Sequence, residues 1–204
     1  MGITPRQFAE LKQRVAGTRR SAAPVFESSY SKRDNTQRHQ VVLGIDPSLR
    51  GTGFGIIRLA RPTPQLLAQG TIKCPPGWER SRCLVKILQE LREAIQRHHP
   101  TVCVIEGLFY AQNLQTALLM GEARGASLVA AAEAGLEIFE LAPRKVKQAI
   151  VGYGAAQKSA VAKMVQRMLR LSAPPAPDAA DALALALTHA QDTARISLIP
   201  PKRI

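Results

Sequence analysis

From residue 41 the chain alternates short apolar runs with longer amphipathic stretches, and that alternation predicts its elements. "VVLGID" (41–46) is β-branched and reads as a buried strand. A glycine-rich turn around Gly51, Gly53 and Gly55 leads into "GFGIIRL", its expected hairpin partner, and "QLLAQGTIKC" makes a third strand. Leu84, Ile87, Leu88, Leu91 and Ile95 share one stripe of "ERSRCLVKILQELREAIQRHH", which predicts a helix ended by Pro100. "TVCVIEG" is a short apolar strand, "LQTALLMGEARGASLVAAAEA" a helix closed by Gly135, and "LEIFELA" a fifth strand. Helices are expected near 143–150 and 156–171, and an Ala/Leu-rich one begins at about Asp178, after "SAPPAP". Three hairpin-like strands followed by strand–helix alternation predict an α/β domain over residues 41–192, a five-stranded mixed sheet flanked by helices.

The flanks read differently. Residues 1–40 carry eight Lys or Arg against three Asp or Glu. Thr4-Pro5 can open a short helix with Phe8, Leu11 and Val15 on one face. Beyond it the segment lacks periodicity and reads as a flexible basic arm, either touching DNA backbone or merely solvated. A transit peptide fits less well, because Glu10, Glu27 and Asp34 interrupt the basic run. Residues 193–204 are expected to form a short C-terminal tail.

Charge narrows the function. Lys and Arg total 28 against 15 Asp and Glu, a net of +13, which points to a polyanionic partner such as nucleic acid. Aromatic residues make up only 4%, which argues against a broad base-stacking platform. No apolar run is long enough to span a bilayer. Cys74, Cys83 and Cys103 are too scattered for a disulfide framework, so a reducing cytoplasm is the expected compartment.

The chemistry lies in carboxylates set among apolar residues. Asp46 sits inside the first strand and Glu106 ends the fourth, and strand ends are where open α/β sheets build ligand sites. Asp178 and Asp181 are three residues apart in "PAPDAADALALALTHA" and can share a helical face. Asp178 alone could be a first-turn acid favoured by the helix dipole. Four such acids brought together would repel one another unless some stay protonated or a cation sits among them. An all-oxygen set suits Mg²⁺, or Mn²⁺. An acidic metal pocket on a basic protein is the electrostatic pattern of a nuclease, set against purely structural charges as the alternative.

Five segments in order, "GIDPSLRGTGFGII", "VIEGLFYAQN", "ALLMGEARGASLVAA", "APRKVKQAIVGYGAAQKSAV" and "PDAADALALALTHA", closely resemble the RuvC family of Holliday-junction resolvases across residues 41–191. The resemblance implies a ribonuclease H-like fold, a homodimer, and paired nicking of four-way DNA junctions with Mg²⁺, two ions per site. It makes Asp46, Glu106, Asp178 and Asp181 the metal-binding tetrad. It makes Phe109, with Tyr110 beside it, an aromatic that stacks on bases at the open junction, where the bland reading is a core phenylalanine. Lys147 and Lys158, with Arg144 and Lys145, become phosphate or transition-state contacts. A RuvA–RuvB-type branch-migration complex is an implied partner. Gly121 and Gly125, four apart in a helix, imply a dimer seam, where tight packing against the sheet is the ordinary reading. Ser48 and Gly107 depart from the family pattern, and both bear on active-site loops.

Other readings compete. "GIDxxxxxTGxG" also resembles the phosphate loop of actin-like ATPases, but those need a second comparable domain. A non-catalytic junction-binding protein would not need all four acids, and a relative acting on RNA differs least in sequence. Zinc at His98, His99 and the cysteines lacks a recognised ligand spacing. His189 lies about 16 Å along the helix from Asp178 and is expected to pack in the core.

Overall fold

The computed structural model describes residues 39–107, 114–194 and 202–204. The basic arm up to residue 38, with Phe109 and Tyr110, lies outside these described residues. Strand β1 (Val41–Asp46) pairs antiparallel with β2 (Gly51–Arg58), which pairs antiparallel with β3 (Gln65–Lys73). Helix α1 (Arg80–His98) leads to β4 (Val102–Glu106), and α2 (Leu114–Glu133) to β5 (Glu137–Leu141). β4 runs parallel to β1, and β5 parallel to β4. Helices α3 (Pro143–Val151), α4 (Lys158–Met168) and α5 (Pro177–Ala194) complete the body, and β6 (Lys202–Arg203) pairs antiparallel with β5. The sheet order is β3-β2-β1-β4-β5-β6.

Six strands stand where the sequence predicts five. The expected tail contributes the extra one: Lys202 and Arg203 cover the β5 edge, and their side chains reach Glu140 (3.8 Å) and Glu137 (2.9 Å). Two residues are too few to show a strand period, whereas an open sheet edge offers unpaired N–H and C=O groups to any nearby chain.

Strand alternation divides the core into two layers. Val41, Leu43 and Ile45 of β1 pack with Cys103 and Ile105 of β4 against α1 and α2. Val42, Val102 and Val104 face the other way, against α3, α4 and α5. Asp46 and Glu106 continue this second series, so period-two geometry aims both acids at the α5 side.

Glycines set how closely α5 approaches. A Cβ on Gly44 would lie 2.0 Å from the Ala182 carbonyl oxygen, and one on Gly53 would lie 2.0 Å from that of Asp178. One on Gly55 would strike Leu183 at 2.5 Å. Gly51, Gly53 and Gly55 therefore belong to β2 itself, which corrects the reading of a glycine-rich turn. They are small because α5 lies on them, through its backbone at Gly53 and the side chains of Asp178 and Leu183 at Gly51 and Gly55, not because the chain bends there. Gly53→Ala is expected to cost about 2–3 kcal/mol, since the clash is with backbone, and a urea titration should show a lower midpoint. A midpoint equal to that of the parent protein would mean that α5 can lift without cost.

Gly121 and Gly125 behave differently. A Cβ on either would meet nothing within 4 Å, so neither is small in order to pack tightly on the sheet of its own chain. They lie on an outer stretch of α2 with Leu118 and Val129, exposed by 59% and 47%.

Candidate active site

β1 and β4 are parallel neighbours in register, with Ile45 beside Ile105, so their next residues, Asp46 and Glu106, end side by side. The two carboxyl groups share a hydrogen bond. Burial, and then the charge of Asp46, push Glu106 up to about 8. Burial likewise raises Asp46, although the hydrogen bond from Glu106 opposes it. At neutral pH Glu106 is therefore the protonated partner and donates to the Asp46 carboxylate.

The N-terminus of α5 supplies the other two acids. Asp178 lies over β2, where a Cβ on Gly51 would come within 3.2 Å of its Oδ2. Asp181, one turn on, accepts a hydrogen bond from the Lys158 ammonium at 2.8 Å. That bond is the main reason the Lys158 pKa is raised, and Asp46 and Asp178 add to the effect. Asp181 and Asp178 both act on Asp46 through their charge. The four acids thus form one electrostatic cluster, held apart in the plane of the sheet by β1 and β4 and closed from one side by α5.

The remaining expected residues are spread more widely. Lys158 opens α4 and is largely exposed apart from its contact with Asp181. Lys147 is half-buried on α3 and makes no ion pair among the described residues. Lys145 is engaged by Asp192 at 2.7 Å, about 21 Å along α5 from Asp178, so it is not brought to the acids. Arg144 is exposed, and its stem packs where a Cβ on Gly154 would lie 2.5 Å away. His189 is buried, ring to ring with His39 and Phe139, at the far end of α5.

The loops flanking the acids are braced from within the chain. The Thr52 hydroxyl donates to the Ser48 carbonyl at 2.6 Å and accepts from its N–H at 3.2 Å, so the turn after Asp46 is closed on itself. The Gly107 N–H donates to the Leu141 carbonyl at 2.9 Å, carrying the β4–β5 ladder one residue past Glu106.

One residue escaped the sequence reading. Arg124, buried in α2, donates one N–H to the Glu106 carbonyl oxygen and another to the Glu140 carboxylate. Its signal was a lone cation between Gly121 and Gly125 on a helix otherwise rich in Ala and Leu, where nothing local requires a charge.

The donor chemistry fits a hard cation. All four groups offer oxygen, and a proton on Glu106 and the Lys158 ammonium now supply the positive charge that such an ion would bring. The side chains are paired rather than converged: among the described residues, no three His, Cys, Asp or Glu side chains form a ready metal cage. Loading would require Glu106 to release its proton and Asp181 to loosen its hold on Lys158.

Comparison with known proteins agrees over nearly the whole domain. A family model described as crossover junction endodeoxyribonuclease RuvC matches residues 42–189. RuvC of Chromohalobacter salexigens is 44% identical over 163 residues, 80% of this chain and 87% of that protein. RuvC of Halorhodospira halophila is 47% identical over 149 residues, 73% of this chain and 89% of that protein. The structure of Thermus thermophilus RuvC in complex with Holliday junction substrate superposes with a TM-score of 0.74 at 36% identity, covering 81% of this chain and all of the other. The yeast mitochondrial resolvase Ydc2 shares the fold, with a TM-score of 0.53 at 12% identity. On this match of sequence and architecture, the chain belongs to the RuvC family of crossover junction endodeoxyribonucleases.

Proposed function

We propose that Asp46, Glu106, Asp178 and Asp181 form the catalytic centre of this Holliday-junction resolvase and hold Mg²⁺, two ions per site, with Mn²⁺ able to replace it. The observation that carries the reading is the placement of two strand-end acids beside two acids of α5, on a chain with a net charge of +13. When bound, the metal supplies an activated water and stabilises the departing 3′ oxygen. The chain's own part is positional and electrostatic. Paired strand ends fix the separation of Asp46 and Glu106, and the N-terminal turns of α5 fix Asp178 and Asp181 one turn apart. Lys158 is held by Asp181 at 2.8 Å, and were that carboxylate to hold the cation, the ammonium would be free to contact a phosphate oxygen. Lys147 and Arg144 add phosphate contacts, and the excess of basic residues draws in the DNA backbone.

Two further elements complete the reading. A second copy docking on the outer face of α2, through Leu118, Gly121, Gly125 and Val129, would give the two centres that symmetric nicking needs. Phe109 and Tyr110 follow the strand that ends in Glu106, and by sequence position they belong at the opened junction. A RuvA–RuvB-type motor is the partner the family suggests.

The experiment is cleavage of a synthetic four-way junction beside linear duplex and an RNA–DNA hybrid, with Mg²⁺ and with EDTA. The expected result is a pair of symmetric nicks, confined to the junction and abolished by EDTA. Tight junction binding without nicks would mean a binding module, and cleavage of the hybrid an enzyme acting on RNA.

A further inference from the structure

We infer that Arg124 is a positioning residue for the acidic site, locking the C-terminal ends of β4 and β5 to α2 so that Glu106 is held beside Asp46. The inference rests on the tetrad reading above and extends it to a residue that touches neither metal nor DNA.

Arg124 is only 8% exposed, and a buried guanidinium is costly unless its donors are satisfied. Its neighbours on the buried side of α2 are Ala123, Ser127, Ala130 and Ala131, small groups that leave room for a long side chain but offer it no charge. Compensation comes from the strands beneath it. One N–H bonds the main-chain carbonyl of Glu106, and the other bonds the carboxylate of Glu140 on β5. The guanidinium is planar and rigid, so binding both at once fixes their relative position, which a flexible ammonium would not do.

The carbonyl engaged is that of the proposed ligand residue itself. β4 ends at Glu106, and past it the β4–β5 ladder continues for one bond alone, that of the Gly107 N–H. Arg124 on one side and the Gly107–Leu141 bond on the other hold this strand end. With the carbonyl held, the Glu106 side chain is aimed at the opposite face, toward Asp46 and α5. Supporting groups of this kind around metal ligands change metal affinity by about 10–100-fold when removed.

A purely structural ion pair between α2 and β5 would give the same contacts, so the test must read the site and not only the fold. Mn²⁺ is titrated calorimetrically into the full chain without DNA, for the parent protein, Arg124→Met, Glu140→Gln and Ile138→Ala. The last removes buried apolar contact from β5 and serves as a stability control. Arg124→Met is expected to weaken Mn²⁺ binding by about tenfold or more, and Glu140→Gln to shift it in the same direction by less. Ile138→Ala should lower the melting temperature and leave Mn²⁺ affinity unchanged. Folded Arg124→Met and Glu140→Gln proteins binding Mn²⁺ as the parent does would overturn the positioning role alone. Should Arg124→Met not fold, parent-like Mn²⁺ affinity in Glu140→Gln would overturn it equally. A parent protein that binds no Mn²⁺ would instead overturn the tetrad reading on which the inference stands.

Discussion

Asp46→Asn is expected to reduce junction cleavage by on the order of a thousandfold or more, while junction affinity stays within about twofold. The asymmetry follows from where the two kinds of interaction reside. Affinity for a four-way junction comes mainly from basic side chains neutralising phosphates, spread over a chain with a net charge of +13. Asp46 contributes nothing to that attraction and slightly opposes it. Its role lies in the acidic cluster, where it accepts a hydrogen bond from Glu106, whose proton burial and the Asp46 charge hold on up to about 8. An amide of the same shape keeps the packing of β1 but brings no negative charge to a cation. The substitution would also relieve Glu106 of a charge that raises its pKa, so the variant should be no less stable than the parent. Gel-shift and cleavage assays on one synthetic junction check both halves. Wild-type nicking by the variant would sink the assignment of Asp46, whereas loss of binding together with cleavage would place it in DNA contact instead.

The second large effect is on stability. Without metal, the protein is expected to become less stable as pH rises from about 6.5 to about 8, and Mg²⁺ should restore more of that stability at the alkaline end. The sign follows from the proton balance. In the unfolded chain Glu106 ionises near its ordinary 4.5, but in the folded protein burial and Asp46 hold the proton on until about 8. Between those limits the folded state holds the extra Glu106 proton, so rising pH favours unfolding through this group, and the loss levels off above about 8. Up to about 6.5 the buried His189, pushed down to about 4 by desolvation, works in the opposite direction, so the net loss shows between about 6.5 and 8. Asp46, also raised by burial, contributes in the same direction as Glu106. A cation among the acids replaces the proton, so its stabilising effect grows as the proton leaves. The gain follows mass action, at ~1.4 kcal/mol for each tenfold excess of free Mg²⁺ over its dissociation constant. Glu106→Gln has no proton to lose there and should flatten much of the metal-free slope. Thermal melts at pH 5, 6.5 and 8, each with EDTA and with Mg²⁺, measure all three quantities. A metal-free profile that instead rises toward pH 8 would mean that Glu106 is ionised in the folded state.

Much of this site is legible in the chain. Asp46 and Glu106 stand out because a carboxylate in a β-branched run needs compensation, and Asp178 and Asp181 because they interrupt an Ala/Leu helix at one-turn spacing. Strand period and helix stripe are local properties, and they carry over well: the expected helix over "ERSRCLVKILQELREAIQRHH" forms as Arg80–His98, with Ile87, Leu91 and Ile95 buried. What failed was whatever depended on a distant neighbour. Gly53 and Gly55 looked like turn residues because glycine is a local breaker, yet they are strand residues kept small by the Asp178 backbone and the Leu183 side chain of α5, more than a hundred positions away. β6 was invisible because two residues carry no period. Arg124 was passed over because its acceptors, Glu106 and Glu140, lie on two other elements.

The sequence by itself therefore determined the alternation of elements, the four acids and the family they point to, since each of these is written in residue type and short spacing. Only the tertiary structure decided which acids pair. The parallel register of β1 and β4 set Asp46 beside Glu106, and the glycine-lined seat of α5 brought Asp181 and its partner Lys158 to the same cluster. Charge pairing depends on separations of a few ångströms between elements far apart in the chain, and packing sets those distances.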